Sequence, residues 1–144
     1  MFKSILIICT GNICRSPIGE RLLRQRLSGI TVESAGTYGL EGLPADDGAL
    51  EVASAHGLSL EGHVARKVSR GMVNRYDLIL AMTPKHIGQI TMIAPEVRGK
   101  TLLYGEWLGQ QEVPDPFRQS PQVYEYVYNL LGQASLEWVK KLRK

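Results

Sequence analysis

Residues 4–17 read SILIICTGNICRSP, and they join an apolar run, a glycine turn and a helix start. Residues 4–9 are almost continuously apolar, which predicts a strand buried on both faces. Gly11 and Asn12 make the turn, and Ser16-Pro17 opens a helix that ends at Gly29. A loop between a strand and a helix lies at the carboxyl edge of a parallel sheet, where open α/β folds bind ligands.

Strand and helix patterns alternate along the rest of the chain. Strands are predicted at residues 31–35, 76–82 and 100–104, and helices at 46–56, at 84–93 and from Pro121 onward. Residues 64–74 are interpreted as a short, mainly polar helix with its flanking loop, and residues 105–119 as a loop. The expected fold class is therefore α/β: three layers, with a four-stranded parallel sheet flanked by helices and a phosphate-binding loop after strand 1.

Length and charge limit the function classes. The 144 residues predict a single domain spanning 1–144. A net charge of +3 fits an anionic substrate but is too small to indicate nucleic-acid binding. The N-terminal apolar run is too short for membrane insertion and lacks a signal-peptide cleavage pattern, so a cytoplasmic location is expected. The two cysteines match neither a secreted disulfide framework nor a zinc pattern, and no metal or cofactor is expected.

Cys9 stands at the end of the first strand, where the loop and the helix N-terminus would stabilise a thiolate. Arg15 can hold two oxygens of an anion with its rigid fork. A thiolate, a nest of backbone amides and an arginine together suit nucleophilic attack on phosphorus. The predicted phosphate-binding residues are Thr10, Gly11, Asn12, Ile13, Cys14 and Arg15. A buried cysteine after a strand is also common as a small apolar residue, which is the alternative at this point.

Thiolate attack on a phosphate monoester needs a proton donor for the leaving oxygen. Asp115 lies between Pro114 and Pro116 on the loop after strand 4, at the same sheet edge, and is the candidate general acid. The alternative is an ordinary proline turn, in which Asp-Pro is common.

Five segments, in order, resemble the low-molecular-weight protein tyrosine phosphatases: Cys9–Pro17 (CTGNICRSP), Ser34–Gly36 (SAG), His63–Arg66 (HVAR), Tyr76–Met82 (YDLILAM) and Asp115-Pro116. The resemblance implies that Cys9 is the nucleophile, Arg15 and the loop bind phosphate, and Asp115 is the general acid, with a cysteinyl-phosphate intermediate. It implies that Asn12 holds the loop through Ser16, Ser34 and His63, and that Ser16 donates to the Cys9 sulfur. It also implies that Cys14 is a redox partner of Cys9, the alternative being that Cys14 only packs under the loop. His56 and His86 have no such support and are interpreted as structural.

The expected cleft walls are Tyr38, Leu40 and Phe117, and two of them depart from the family. Leu40 stands where many members carry tryptophan, and Phe117 where many carry tyrosine. The pattern is most similar to the bacterial branch associated with exopolysaccharide or capsule production. That resemblance implies a phosphotyrosine protein as partner, specifically the cytoplasmic tyrosine-rich tail of a membrane tyrosine autokinase.

Three other classes share part of the pattern. An arsenate reductase would need further cysteines, and this chain has none beyond Cys14. A phosphate-binding module would need neither Cys9 nor Asp115. A thiol redox protein is expected to carry a C-x-x-C spacing, which Cys9 and Cys14 do not have.

Overall fold

The computed structural model describes residues 2–143 and contains a four-stranded sheet whose paired strands all run parallel. The strand order is β2-β1-β3-β4, with β1 at Ser4–Cys9, β2 at Thr31–Gly36, β3 at Leu78–Ala81 and β4 at Thr101–Leu103. β1 lies between two partners and is buried from Ile5 to Cys9, which explains why both of its faces are apolar. The predicted four-stranded parallel sheet is confirmed.

Helices cover both faces of the sheet, as predicted. They are α1 (Arg15–Arg26), α2 (Asp47–Ala55), α3 (Arg70–Asn74), α4 (Pro84–Ile93), α5 (Pro121–Leu142) and a 3-10 helix at Pro95–Lys100 that the sequence analysis did not predict. Successive residues of a strand point to opposite faces. Ile5 and Ile7 accordingly join a core under α1, α2 and α5, whereas Leu6 and Ile8 join a second core with α3 and α4.

Four helices begin at a side chain that accepts a hydrogen bond from the backbone N–H three residues later: Asp46, Ser69, Thr83 and Ser120. The start of α1 differs, because its N-cap residue Cys14 makes no side-chain cap bond. The first N–H groups of a helix have no partner inside the helix. The start of α1 therefore keeps its donors available for an anion.

The interpretation of residues 64–74 as a short helix with its flanking loop agrees with the structure. The helix covers only Arg70–Asn74, and Ser69 caps it. The preceding residues are extended along the end of β2: Gly36 N donates to Arg66 O at 2.9 Å and Val68 N donates to Gly36 O at 2.9 Å. Backbone pairing with the edge of the sheet therefore sets the conformation of residues 66–68, which their amino-acid composition does not specify.

The loop that follows β4 returns across the carboxyl edge of the sheet. Val113 N donates to Met82 O, directly after β3, at 3.0 Å. This bond brings residues 113–117 beside the loop that follows β1. None of the helices within residues 2–143 combines the length and the apolar character needed to cross a membrane.

Candidate active site

The loop between β1 and α1 has every carbonyl group from Cys9 to Cys14 engaged by a surrounding donor. The donors, in order, are Thr37 N (2.9 Å), Tyr38 N (3.0 Å), Leu40 N (3.0 Å), His63 Nε2 (2.6 Å), Asp46 N (2.8 Å) and Ile18 N (3.4 Å). The C=O and N–H of a trans peptide point in opposite directions. The N–H groups of residues 10–15 are therefore directed to the inner side of the loop, where they form a concave set of donors.

Cys9 lies at the base of this loop and is only 3% exposed. Its Sγ is 2.9 Å from Ser16 Oγ, in the first turn of α1. Asn12 Nδ2 donates to the same Ser16 oxygen at 2.8 Å. Because that oxygen already accepts from Asn12, the Ser16 hydroxyl hydrogen is free to point at the sulfur. This arrangement stabilises negative charge on Cys9 Sγ.

Asn12 adopts a left-handed backbone conformation, with φ of 61°, which is unusual for a residue with a side chain. It is fully buried, and its whole amide is engaged. Nδ2 donates to Ser16 and to Ser34 Oγ (3.0 Å), while Oδ1 accepts from Arg66 N at 2.8 Å. These bonds, with the His63 bond to the Asn12 carbonyl, hold the residue in its strained conformation.

His63 donates from Nε2, because a carbonyl can only accept. Burial lowers the pKa of His63, although the bond to Asn12 O opposes this shift. A neutral ring with its proton on Nε2 is sufficient for the bond. The structure thus brings together all four residues expected to support the loop: Asn12, Ser16, Ser34 and His63.

Arg15 is 4% exposed, and its guanidinium is held at both ends. Nη1 donates to Val113 O at 2.9 Å, and Nη2 donates to Thr10 Oγ1 at 3.4 Å. Asp115 Oδ2 lies 3.8 Å from Nη2. A guanidinium fixed in this way presents its remaining donors in a defined direction, which suits an oxyanion with several oxygens.

Asp115 lies at the mouth of the same cleft, with its side chain 53% exposed. Its Oδ1 accepts from Phe117 N at 3.0 Å, which fixes the local turn. Asp115 therefore lies in the same cleft as Cys9 and Arg15, at the sheet edge where the sequence placed the candidate general acid.

The cleft has a volume of about 260 Å³, and its lining is mainly apolar above the phosphate-binding loop. Tyr38, Leu40 and Phe117 form its rim and are 66%, 45% and 37% exposed. Ile13 also lines it. A larger cavity, of about 450 Å³, lies between α2 and α5, but Cys9 and Arg15 do not line it. Of these two cavities, the smaller one is lined by Cys9, Arg15 and Asp115 together.

Cys14 is a buried free thiol that lines the cleft beside Cys9. Burial, reinforced by the nearby carboxylate of Asp46, raises the pKa of Cys14 far above its usual value. Cys14 is therefore a protonated thiol at neutral pH, and it is not itself a nucleophile toward phosphate.

Sequence reasoning missed two buried residues of this site. Glu20 accepts from Ser34 Oγ at 2.8 Å and continues the network behind Asn12. His86, which was interpreted as structural, has Nε2 2.8 Å from Thr10 Oγ1 in the phosphate-binding loop. In the sequence, the Thr83-Pro84 helix start was the only signal for the contact between His86 and Thr10, because Thr83 caps the first turn of α4, which contains His86.

Among the described residues 2–143, no group of three or more His, Cys, Asp or Glu side chains is arranged to hold a metal ion.

Comparison with known proteins gives matches over nearly the whole chain. Residues 4–144 match the family described as low molecular weight phosphotyrosine protein phosphatase. Low molecular weight protein-tyrosine-phosphatase Etp of Escherichia coli strain K12 is 60% identical over 143 residues, which cover 99% of this chain and 97% of Etp.

Two solved structures have the same fold. The tyrosine phosphatase Wzb from Escherichia coli K30, in complex with sulphate, has a TM-score of 0.97 at 52% identity, over 99% of each chain. Vibrio vulnificus Wzb, in complex with benzylphosphonate, has a TM-score of 0.96 at 45% identity, over 99% of this chain and 100% of that one. These relatives confirm the bacterial branch predicted from the motifs. Of the enzyme and binding classes considered from the sequence, the matches support the phosphatase. This chain belongs to the low molecular weight phosphotyrosine protein phosphatases.

Proposed function

We propose that this phosphatase hydrolyses phosphotyrosine through a cysteinyl-phosphate intermediate formed on Cys9. The observation that carries the proposal is the position of Cys9 Sγ, at the base of the donor loop and 2.9 Å from Ser16 Oγ. The Cys9 thiolate attacks phosphorus, an S–P bond forms, and the P–O bond to the tyrosine ring breaks. Arg15 and the loop N–H groups bind the phosphoryl oxygens and stabilise the transition state.

Asp115 supplies the proton in this scheme. As a carboxylic acid at the cleft mouth, it protonates the departing tyrosine oxygen. In the second step, the resulting carboxylate takes a proton from water while the water oxygen attacks phosphorus. The S–P bond then breaks, inorganic phosphate leaves, and the thiolate returns to its hydrogen bond with Ser16.

The apolar walls support an aromatic substrate. Ile13, Leu40 and Phe117 can pack against the ring of phosphotyrosine, whereas phosphoserine offers them no ring. The Vibrio vulnificus relative binds benzylphosphonate, which carries an aromatic ring next to a phosphonate. The loss of the family's tryptophan at Leu40 and tyrosine at Phe117 leaves smaller and less polar walls, so their main effect is expected on substrate preference.

Hydrolysis of aryl phosphates by the wild type, Cys9→Ser and Asp115→Asn tests the mechanism. Cys9→Ser is expected to lose detectable turnover while still binding inorganic phosphate. Asp115→Asn is expected to lose more activity on phenyl phosphate than on p-nitrophenyl phosphate, because p-nitrophenolate leaves more readily without a proton. Labelled phosphate trapped on Cys9 by acid quench would identify the intermediate. Unchanged turnover in Cys9→Ser would refute the scheme.

The proposed protein substrate is the cytoplasmic, tyrosine-rich tail of a membrane tyrosine autokinase that controls exopolysaccharide or capsule production, and the proposed location is the cytoplasm. The resemblance to the bacterial branch supports this partner. Purified phosphorylated tail should be dephosphorylated with a kcat/KM above that for an unrelated phosphotyrosine peptide. Equal values for the two substrates would argue against a dedicated partner.

Cys14 is proposed as a redox partner of Cys9. A peroxide oxidises the Cys9 thiolate to a sulfenic acid and is itself reduced to water. The Cys14 sulfur then attacks the sulfenic sulfur as its proton passes to the departing hydroxyl group. The S–O bond breaks, a second water leaves, and an S–S bond forms. Because Cys14 stays protonated, the first oxidation is directed to Cys9.

A further inference from the structure

His86 is buried beside the active site but lies outside the five segments on which the family resemblance was based. It occupies the first turn of α4 and is 4% exposed. Both ring nitrogens have partners: Nε2 is 2.8 Å from Thr10 Oγ1, and Nδ1 is 2.9 Å from Thr83 Oγ1. The ring therefore connects the start of α4 to the phosphate-binding loop.

The directions of these bonds are assigned from Arg15 and from the pairing of each donor with an acceptor. Its Nη2 can only donate, so Thr10 Oγ1 accepts from it at 3.4 Å. The Thr10 hydroxyl hydrogen is then available to His86 Nε2, which accepts it. With the proton assigned to Nδ1, the ring donates to Thr83 Oγ1, and each of the three bonds has one donor and one acceptor.

This arrangement requires a neutral ring. Burial and the positive charges of Arg15 and Lys85 lower the pKa of His86 to about 4, while Asp115 opposes the shift. A charged ring would donate from Nε2 to Thr10 and would turn the hydroxyl hydrogen away from it. Neutral His86 is thus the state in which Nε2 accepts from the Thr10 hydroxyl and leaves both lone pairs of Oγ1 available to Arg15.

Both ends of the Arg15 guanidinium are tied to the same segment. Met82 O accepts from Val113 N, and Val113 O accepts from Arg15 Nη1. Thr83 contacts His86, His86 contacts Thr10, and Thr10 contacts Nη2. The segment 82–86, from the end of β3 into the first turn of α4, therefore holds the guanidinium from two sides.

We propose that His86 is a positioning residue for Arg15, acting as a hydrogen-bond acceptor for Thr10 and so fixing the guanidinium in the orientation that binds phosphate. The inference rests on the proposed role of Arg15 in phosphate binding. His86 makes no contact with the reacting atoms in this scheme, and its effect is exerted through the Thr10 hydroxyl.

The test is equilibrium binding of inorganic phosphate to the purified protein, measured by calorimetry together with kcat and KM for p-nitrophenyl phosphate. Thr10→Val keeps the shape and removes the hydroxyl; His86→Phe keeps a ring and removes the acceptor. Each is expected to weaken phosphate binding about three- to tenfold. The double variant is expected to match the single variants, because both remove the same interaction.

His86→Gln serves as the rescue, since its side-chain oxygen can accept from Thr10, and it is expected to restore most of the affinity. His56→Phe is the matched control: His56 pairs with Glu125 and stacks on Tyr128, on a different part of the molecule. Full additivity in the double variant, or unchanged phosphate affinity in a folded His86→Phe or Thr10→Val, would overturn the proposal. If Cys9 were not the nucleophile, Cys9→Ser would still turn over substrate. The His86 and Thr10 variants do not measure that, so the failure of this inference and the failure of the proposed mechanism are distinguishable.

Discussion

Ser16 Oγ lies 2.9 Å from Cys9 Sγ and accepts a hydrogen bond from Asn12 Nδ2, so its own hydrogen is free to point at the sulfur. This relationship predicts that Ser16 matters most when the sulfur carries negative charge. A thiolate is a better leaving group from phosphorus when a hydrogen bond stabilises the negative charge that develops on its sulfur. The effect should therefore be largest in the second chemical step.

Ser16→Ala is expected to lower kcat about ten- to hundredfold, as for the loss of a hydrogen bond to a charged group. Rapid mixing with p-nitrophenyl phosphate should show a burst of about one p-nitrophenol per active site, because breakdown of the intermediate becomes slow. Ser135→Ala is the matched control, since Ser135 is buried in α5, does not line the cleft, and donates to Gly132 O at 2.7 Å. A fall in kcat without a burst of p-nitrophenol would contradict the assignment of intermediate breakdown as the slow step.

The second prediction concerns stability at acidic pH. The pKa of His86 in the folded protein is about 4, below its ordinary 6.5, so between these values the unfolded chain binds more protons. The stabilisation is complete above about pH 6.5 and is lost as the pH falls toward 4. Its size is of the order of a few kcal/mol.

Urea unfolding at a series of pH values measures this effect. The wild type is expected to lose free energy of unfolding between pH 6.5 and pH 4, and His86→Phe is expected to lose clearly less. The pKa of His63 is lowered in the same direction and contributes to the slope of both proteins. Equal slopes for the two proteins would show that His86 is not the titrating group.

The sequence predicted the sheet and the phosphate-binding loop well because their signals are local. Residues 4–17 contain the strand, the turn and the helix start in one run, and Cys9 and Arg15 follow from the same run. The position of Asp115 could be predicted from the rule that loops after parallel strands meet at one edge. These predictions do not depend on contacts between side chains that are distant in the sequence.

The rest of the site depends on contacts between residues far apart in the chain. Thr10 and His86 are 76 positions apart, and Asn12 and Arg66 are 54 apart. Neither pairing leaves a periodic or spacing signal in a single sequence. The extended conformation of the segment before α3 is likewise decided by a distant contact, its pairing with Gly36.

The third prediction tests the two cysteines. After brief treatment with hydrogen peroxide, the wild type should lose activity and regain most of it with dithiothreitol, because a Cys9–Cys14 disulfide protects Cys9 from higher oxidation. Cys14→Ser should lose activity and regain little, with sulfinic or sulfonic acid on Cys9 visible by mass spectrometry. Each protein is compared with its own untreated activity. Equal recovery of the two would contradict a redox role for Cys14.

The last prediction concerns Gly36, at the end of β2. A Cβ built on Gly36 would lie 2.1 Å from Thr10 O and 3.0 Å from Asn12 N, both of which are backbone atoms of the phosphate-binding loop. Backbone atoms cannot move aside cheaply, so Gly36→Ala should displace the loop. The expected result is a stability loss of about 1–3 kcal/mol, as for overpacking, with at least about a tenfold fall in kcat/KM.

Gly88→Ala provides the matched glycine control, because a Cβ there meets nothing within 4 Å and the residue lies inside α4. It should raise the stability by about 1 kcal/mol and leave kcat/KM unchanged. Thermal melting and p-nitrophenyl phosphate hydrolysis measure both variants. If Gly36→Ala kept the wild-type affinity for inorganic phosphate, the close approach of β2 to the loop would be irrelevant to the loop's shape. A loss in Gly36→Ala beside a gain in Gly88→Ala would show that β2 sets the position of the phosphate-binding backbone.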